Sequence, residues 1–165
     1  MCSLVDIKLV NKVSDELKKH QVTIATAESC TGGLLAHTLT NVSGSSEYFD
    51  RGVICYNNIA KMELLGVPEQ LLTNYGAVSK QVAAAMAKAI QQGAQVDIGI
   101  STTGIAGPTG GTKDKPVGLV CIGVSTKDTV VVKEFLFSSD RLTNKDSTCT
   151  AALELLLETI SQKKS

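Results

Sequence analysis

Apolar side chains recur along this chain with two different periods, and the switches between them predict its elements. Leu9, Val10, Val13 and Leu17 fall at helical spacing among charged residues between Leu4 and Lys19, which predicts an amphipathic first helix. Val22 to Ala27 is a short run of β-branched and small residues, the pattern of a buried strand. It is broken by the polar, glycine-rich stretch Glu28-Ser29-Cys30-Thr31-Gly32-Gly33, after which Leu34, Leu35, His37 and Leu39 predict a second helix. The loop Ser43-Gly44-Ser45-Ser46 leads to a second strand, Gly52 to Tyr56, and then to a short helix carrying Lys61, Leu64 and Leu65, with Pro68 marking the following turn.

Ser79 reads as the N-cap of a helix whose Val82, Ala83, Met86, Ala87 and Ile90 form a buried stripe closed by Gly93. Asp97 to Thr103 and Leu119 to Thr126 read as strands on either side of a long loop, Gly104 to Gly118. Val130 to Phe137 follows a Lys127-Asp128 turn and completes an antiparallel hairpin. Cys149, Ala152, Leu153, Leu156, Leu157 and Ile160 define a last helix, with Lys163 and Lys164 complementing its carboxyl end. Helices and strands alternate at first, then strands pair directly. That order predicts an α/β fold, a three-layer α/β/α sandwich with a mixed sheet, and no linker or repeat divides residues 1–165 into more than a single domain.

The 165 residues are 43% hydrophobic, enough for one sizeable core. Sixteen basic and sixteen acidic side chains cancel, so no overall field gathers polyanions and no basic run tracks a phosphate backbone; a nucleic-acid partner is not expected. Apolar runs such as Leu153 to Leu157 are far too short for a bilayer, and the first residues lack a signal-peptide pattern, so a cytoplasmic protein with no membrane partner is expected. The five cysteines, Cys2, Cys30, Cys55, Cys121 and Cys149, show no C-x-x-C pairing and are expected to be reduced. With only His20 and His37 as imidazoles and no close Cys/His cluster, neither a metal site nor a cofactor is indicated.

Ligands of open α/β sheets gather where strands end and loops open helices, and three such loops stand out. Ala27 to Gly33 offers hydroxyls and glycine N–H groups at a helix start, suited to an anion or oxyanion, although an ordinary N-cap with a tight turn explains the same residues. It matches neither a Walker A loop nor a G-x-S-x-G elbow. The second loop and its following strand and helix supply Ser45, Ser46, Tyr56 and Lys61. A serine becomes a nucleophile when a neutral lysine takes its proton, with a phenol to relay or orient it. The same four residues also read as a turn, a solvent-facing tyrosine and a lysine on the wet side of a helix. In the third loop, glycines allow close backbone approach to a ligand, and Lys113 and Lys115 either reach a phosphate or decorate a solvated tip. Arg141 can clamp a phosphate or carboxylate, or pair with Asp140. A Cys30 nucleophile with His37 as base is disfavoured, because the two lie nearly two helical turns apart.

Taken together, Ala27-Glu28-Ser29-Cys30-Thr31-Gly32-Gly33, Gly44-Ser45-Ser46 with Phe49 and Gly52, Tyr56 with Lys61, Gly76-Ala77-Val78-Ser79, Gly104-Ile105-Ala106-Gly107-Pro108 with Gly110-Gly111, Lys115-Pro116-Val117-Gly118 and Asp140-Arg141 resemble the CinA carboxy-terminal domain family. The resemblance implies a metal-independent amidohydrolase that converts nicotinamide mononucleotide to nicotinate mononucleotide and ammonia, and, by likeness only, a homodimer. On it, Ser46 is expected to attack the carboxamide with Lys61 as base, supported by Ser29 and Tyr56. Thr31, Gly32, Gly33, Ser45, Gly104, Ala106, Gly107 and Arg141 are expected to bind the oxyanion or the substrate phosphate. Where the family often carries a second arginine four positions after the one matching Arg141, this chain has Lys145, which leaves open an amidohydrolase for another small amide; a silent nucleotide-binding module is the further alternative. The larger amino-terminal domain of many CinA proteins is not part of this sequence.

Overall fold

The computed structural model describes residues 5–162. In chain order the elements are α1 (Ile7–Lys19), β1 (Ile24–Glu28), α2 (Leu34–Thr40), a 3-10 turn (Ser45–Glu47), β2 (Phe49–Ile54), α3 (Asn58–Leu65), α4 (Glu69–Tyr75), α5 (Lys80–Ala94), β3 (Ile98–Gly104), β4 (Leu119–Ser125), β5 (Val130–Leu136) and α6 (Arg141–Gln162). The strands form one mixed sheet in the order β2-β1-β3-β4-β5. β1 runs parallel to β2 and β3, while β4 is antiparallel to both β3 and β5. The expected α/β sandwich and the terminal hairpin are therefore present.

Strand β1 shows how the layers arise. All five of its residues are buried, because the strand lies inside the sheet and both faces are covered. Side chains alternate along a strand. Ile24 accordingly joins Val13, Leu17, Leu35, Leu39, Leu153 and Leu156 in a core shared with α1, α2 and α6. Ala25 and Ala27 face the other way and join Val82, Met86 and Ile90 of α5, with Val67 and Leu72 from the α3–α4 region. Burial of apolar surface on both faces, at about 25 cal/mol per Å², holds the three layers together. At the start of α5, Ser79 accepts a hydrogen bond from the Val82 N–H at 3.2 Å, as a Ser N-cap should.

Several boundaries differ from the sequence pattern. β2 runs from Phe49 to Ile54 rather than from Gly52 to Tyr56; it is an edge strand, so its exposed Asp50 and Arg51 mask the apolar alternation. α4 follows Pro68 where only a turn was expected, and Leu72 is its one buried residue. α5 runs through Gly93 to Ala94, with Gln95 at φ 56° as its left-handed cap. α6 starts at Arg141, two turns ahead of Cys149, because its first buried positions are the polar Asn144 and Thr148. Lys163 and Lys164 lie outside the described residues. Among the described residues no helix is long and apolar enough to cross a membrane.

Candidate functional site

The carboxyl ends of the parallel strands β1, β2 and β3 lie side by side, and the loops leaving them carry the candidate chemistry. Strand alternation sends Glu28 toward α2 and the next residue, Ser29, toward the opposite layer. The Ser29 N–H extends the sheet by donating to the Thr102 carbonyl at 2.9 Å. On α3, capped by the Asn57 side chain, Lys61 is the single buried residue, 1% exposed. Its Nζ lies 3.0 Å from Ser29 Oγ and also donates to the carbonyls of Cys55 at 3.0 Å and Tyr56 at 3.3 Å.

No ion pair is formed by Lys61 among the described residues. Burial lowers its pKa from the ordinary 10.5, opposed by the nearby Cys55 and Cys30 thiols. A desolvated lysine touching a serine hydroxyl, with no carboxylate to hold its charge, is arranged to accept that hydroxyl's proton. Ser29 Oγ otherwise donates weakly, at 3.4 Å, to the Tyr56 carbonyl.

Behind the serine sits a buried carboxylate. Glu28 Oε2 accepts hydrogen bonds from Thr31 Oγ1 at 2.6 Å and from the N–H groups of Gly33 and Leu35 at 3.0 Å each; Oε1 accepts from the Ala36 N–H at 2.8 Å and Thr26 Oγ1 at 3.4 Å. The loop is wound so that these donors converge, with Gly33 at φ 99°, a region that favours glycine. Thr31 Oγ1 also bonds Thr102 Oγ1 at 2.7 Å.

The start of α6 closes the other side of the site. Arg141 donates to the Tyr56 hydroxyl and to the Gly107 carbonyl, both at 2.7 Å. Asn144 donates to the carbonyls of Ala106 at 3.1 Å and Ser139 at 2.9 Å, fixing the long loop to the helix. Lys145 Nζ hangs over the Ser29–Gly33 loop, 3.6 Å from where a Cβ on Gly32 would stand, and forms no ion pair among the described residues. The start of α6 thus brings one cation to Tyr56 and Gly107 and a second to the loop after β1.

The expected nucleophile, Ser46, is not brought to Lys61. It lies exposed in the 3-10 turn that precedes β2, whereas Lys61 follows the other end of that strand. The five rises of about 3.3 Å along this six-residue strand put roughly 17 Å between its two ends. Ser45 shares that position, its Oγ 3.5 Å from the Thr40 carbonyl. Ser29, expected only in support, holds the place beside the base.

The anion sites expected in the first loop are filled from within: the Gly33 N–H serves Glu28, the Gly32 N–H serves the Ser29 carbonyl at 3.1 Å, and the Thr31 side chain is fully buried. The amides of Cys30 and Thr31 make no backbone hydrogen bond among the described residues. Gly104 belongs to β3 and pairs with Val120, and Ala106 and Gly107 contribute carbonyls to Asn144 and Arg141.

The tyrosine phenol, 57% exposed, meets Arg141 rather than Ser29. In the long loop Gly107 lies against Val117 and Gly118 against Phe137, so those glycines serve the loop's own packing. Lys113 is exposed, and Lys115 bonds the Tyr75 carbonyl. Cys30 is buried, its thiol pushed up to about 12 by burial, and His37 is exposed on α2. No three His, Cys, Asp or Glu side chains among the described residues converge on a metal-sized site. Glu28 and Asn144 were not singled out as site residues from sequence, and Lys145 entered only as the replacement of a family arginine. A carboxylate directly ahead of a glycine-rich helix start was the available signal for Glu28, since helix N-termini favour negative charge.

Fold and site together define an α/β protein that presents a lysine-bonded serine at a strand-to-loop junction. The chain belongs to the CinA C-terminal domain family, whose profile matches residues 6–160. It is 48% identical over 160 residues to a CinA-like protein of Chloroherpeton thalassium, covering 94% of this chain and 38% of that one. A CinA-like protein of Salinibacter ruber is 46% identical over 156 residues, with the same two coverages. The chain therefore spans little more than a third of the length of these curated relatives. Among solved structures it superposes on the competence/damage inducible protein CihA from Agrobacterium tumefaciens with a TM-score of 0.91 at 37% identity, covering 95% of this chain and 98% of that one. A CinA superfamily protein from Escherichia coli gives 0.89 at 33% identity, covering 96% and 94%.

Proposed function

We propose that residues 1–165 form one amidohydrolase domain that hydrolyses the carboxamide of nicotinamide mononucleotide, with Ser29 as nucleophile and Lys61 as base. The observation that carries the reading is the buried Lys61 Nζ 3.0 Å from Ser29 Oγ without a carboxylate partner. Neutral Lys61 takes the hydroxyl proton as Ser29 Oγ attacks the carboxamide carbon, and the negative charge moves to the carboxamide oxygen. The backbone amides of Cys30 and Thr31, which make no backbone hydrogen bond among the described residues, are the candidate donors to it. The C–N bond then breaks while the Lys61 ammonium protonates the departing nitrogen, releasing ammonia and leaving an ester on Ser29. Water, deprotonated by Lys61, attacks that ester; the serine regains its proton and nicotinate mononucleotide leaves.

Arg141 and Lys145 supply the positive charge for the substrate phosphate. The exposed Tyr56 ring, with its hydroxyl on Arg141, offers a surface for the pyridine. The family resemblance supports this substrate, and the two cations fit an anionic amide. The reading includes a cytoplasmic homodimer, for which Ile54, Ile59 and Leu64 are exposed apolar side chains on β2 and α3 that a second copy could cover. Ammonia release by the purified chain, measured with a chelator present, tests it. Release from the mononucleotide in preference to free nicotinamide and glutamine is expected, and equal or greater release from either control would overturn the substrate assignment.

A further inference from the structure

We infer that Glu28 is a positioning residue for Ser29: its carboxylate fills the donor cluster at the start of α2 as an internal anion and thereby sets where the serine hydroxyl stands against Lys61. This rests on the reading of Ser29 as the nucleophile. Glu28 is 1% exposed, and no ion pair reaches it among the described residues. A buried carboxylate with no cation depends entirely on hydrogen-bond donors. Five converge on it: three backbone N–H groups of Gly33, Leu35 and Ala36, and the hydroxyls of Thr31 and Thr26.

The consequence for Ser29 follows from the chain path. Residues Ser29 to Gly33 wrap around the carboxylate, closed by the Gly32 N–H on the Ser29 carbonyl. The Glu28 backbone carbonyl accepts from the Cys55 N–H at 2.9 Å, and the Cys55 carbonyl in turn accepts from Lys61 Nζ. Nucleophile and base are thus both referred to Glu28, one through the next peptide bond and the other through Cys55. Glutamine at this position offers one oxygen where two are needed. Its amide nitrogen must then face an N–H donor, whether that of Ala36 or those of Gly33 and Leu35, and the loop opens. A displacement of about 1 Å in a reacting group costs on the order of 100-fold in rate.

Three measurements on Glu28→Gln test the inference: kcat for ammonia release, the Kd for nicotinamide mononucleotide, and the rate at which a small alkyl fluorophosphonate labels Ser29, read by peptide mass mapping. Expected are a kcat and a labelling rate lower by about 100-fold with a Kd within about twofold of wild type. Wild-type kcat and labelling in the folded variant, or a loss that only tracks the unfolded fraction in a thermal melt, would overturn it. If Glu28→Gln does not fold, Thr31→Val keeps the charge and removes the 2.6 Å bond. It is expected to slow both rates by about tenfold, and unchanged rates overturn the inference. Wild-type protein that is labelled at Ser29 yet releases no ammonia removes the amidase reading alone, and the labelling rates of the variants then decide the role of Glu28. Wild-type protein not labelled at Ser29 overturns both.

Discussion

Replacing Lys61 with methionine separates what this side chain does for the fold from what it does for chemistry. Methionine keeps a long unbranched chain in a position that is 1% exposed and removes the amine with its three hydrogen bonds. The buried Cys55 carbonyl loses its donor, at about 1–3 kcal/mol for a buried acceptor left unmet, while the Tyr56 carbonyl keeps the Ser29 hydroxyl. Against this, the variant no longer holds a desolvated amine out of water, a relief of similar size. Stability near neutral pH should therefore fall within about 2 kcal/mol of wild type, in either direction.

The sign of the pH dependence is fixed by the lowered pKa. Between the folded-state value and the ordinary 10.5, the unfolded wild-type chain holds a proton that the folded one has released, so wild-type stability rises with pH through that window. The variant has no such group. Urea denaturation of both proteins across alkaline pH should show wild type gaining on Lys61→Met as 10.5 is approached, while kcat for ammonia release is lower in the variant by about 100- to 10,000-fold. A stability difference that stays flat with pH, or a kcat within about tenfold of wild type, would refute the reasoning.

Other consequences are simpler to read. Ser46→Ala, at the far end of β2, should leave kcat within about twofold of wild type, and a loss comparable to Lys61→Met would return the nucleophile to Ser46. Arg141→Met removes the bonds to Tyr56 and Gly107; KM should rise by about 10- to 100-fold with a smaller change in kcat, and Arg141→Lys should recover only part, whereas an unchanged KM excludes Arg141 from substrate binding. Cys30 and Cys149, both pushed up to about 12 by burial, should escape iodoacetamide in the native protein and react after unfolding; stoichiometric native labelling of either would contradict their placement.

Elements with a strong apolar stripe, such as α1 and α5, were legible because one face of each meets a core and the other meets water. The start of α6 was not, since Asn144 and Thr148 are buried through hydrogen bonds to the long loop and the helix backbone rather than through apolar packing. β2 was read as Gly52 to Tyr56, late at both ends, because an edge strand exposes polar residues on both faces. In the site, the residue types were legible and their partners were not. Lys61 pairs with Ser29 rather than Ser46 because β1 and β2 are parallel, which brings the ends of the two strands together and sends the start of β2 away. That relation lies in the sheet and leaves no mark in local spacing. Glu28 was hidden for a related reason: period-two alternation places it on the opposite face from Ser29, next to it in sequence but in a different layer.

The central claim, that Ser29 is the residue that takes the acyl group, is tested most directly by quenching the enzyme during turnover of nicotinamide mononucleotide and mapping the covalent adduct by peptide mass. The account predicts a nicotinate mononucleotide ester on Ser29, absent from Ser29→Ala and still formed by Ser46→Ala. An adduct on Ser46 or Cys30, or undiminished turnover by Ser29→Ala, would contradict it.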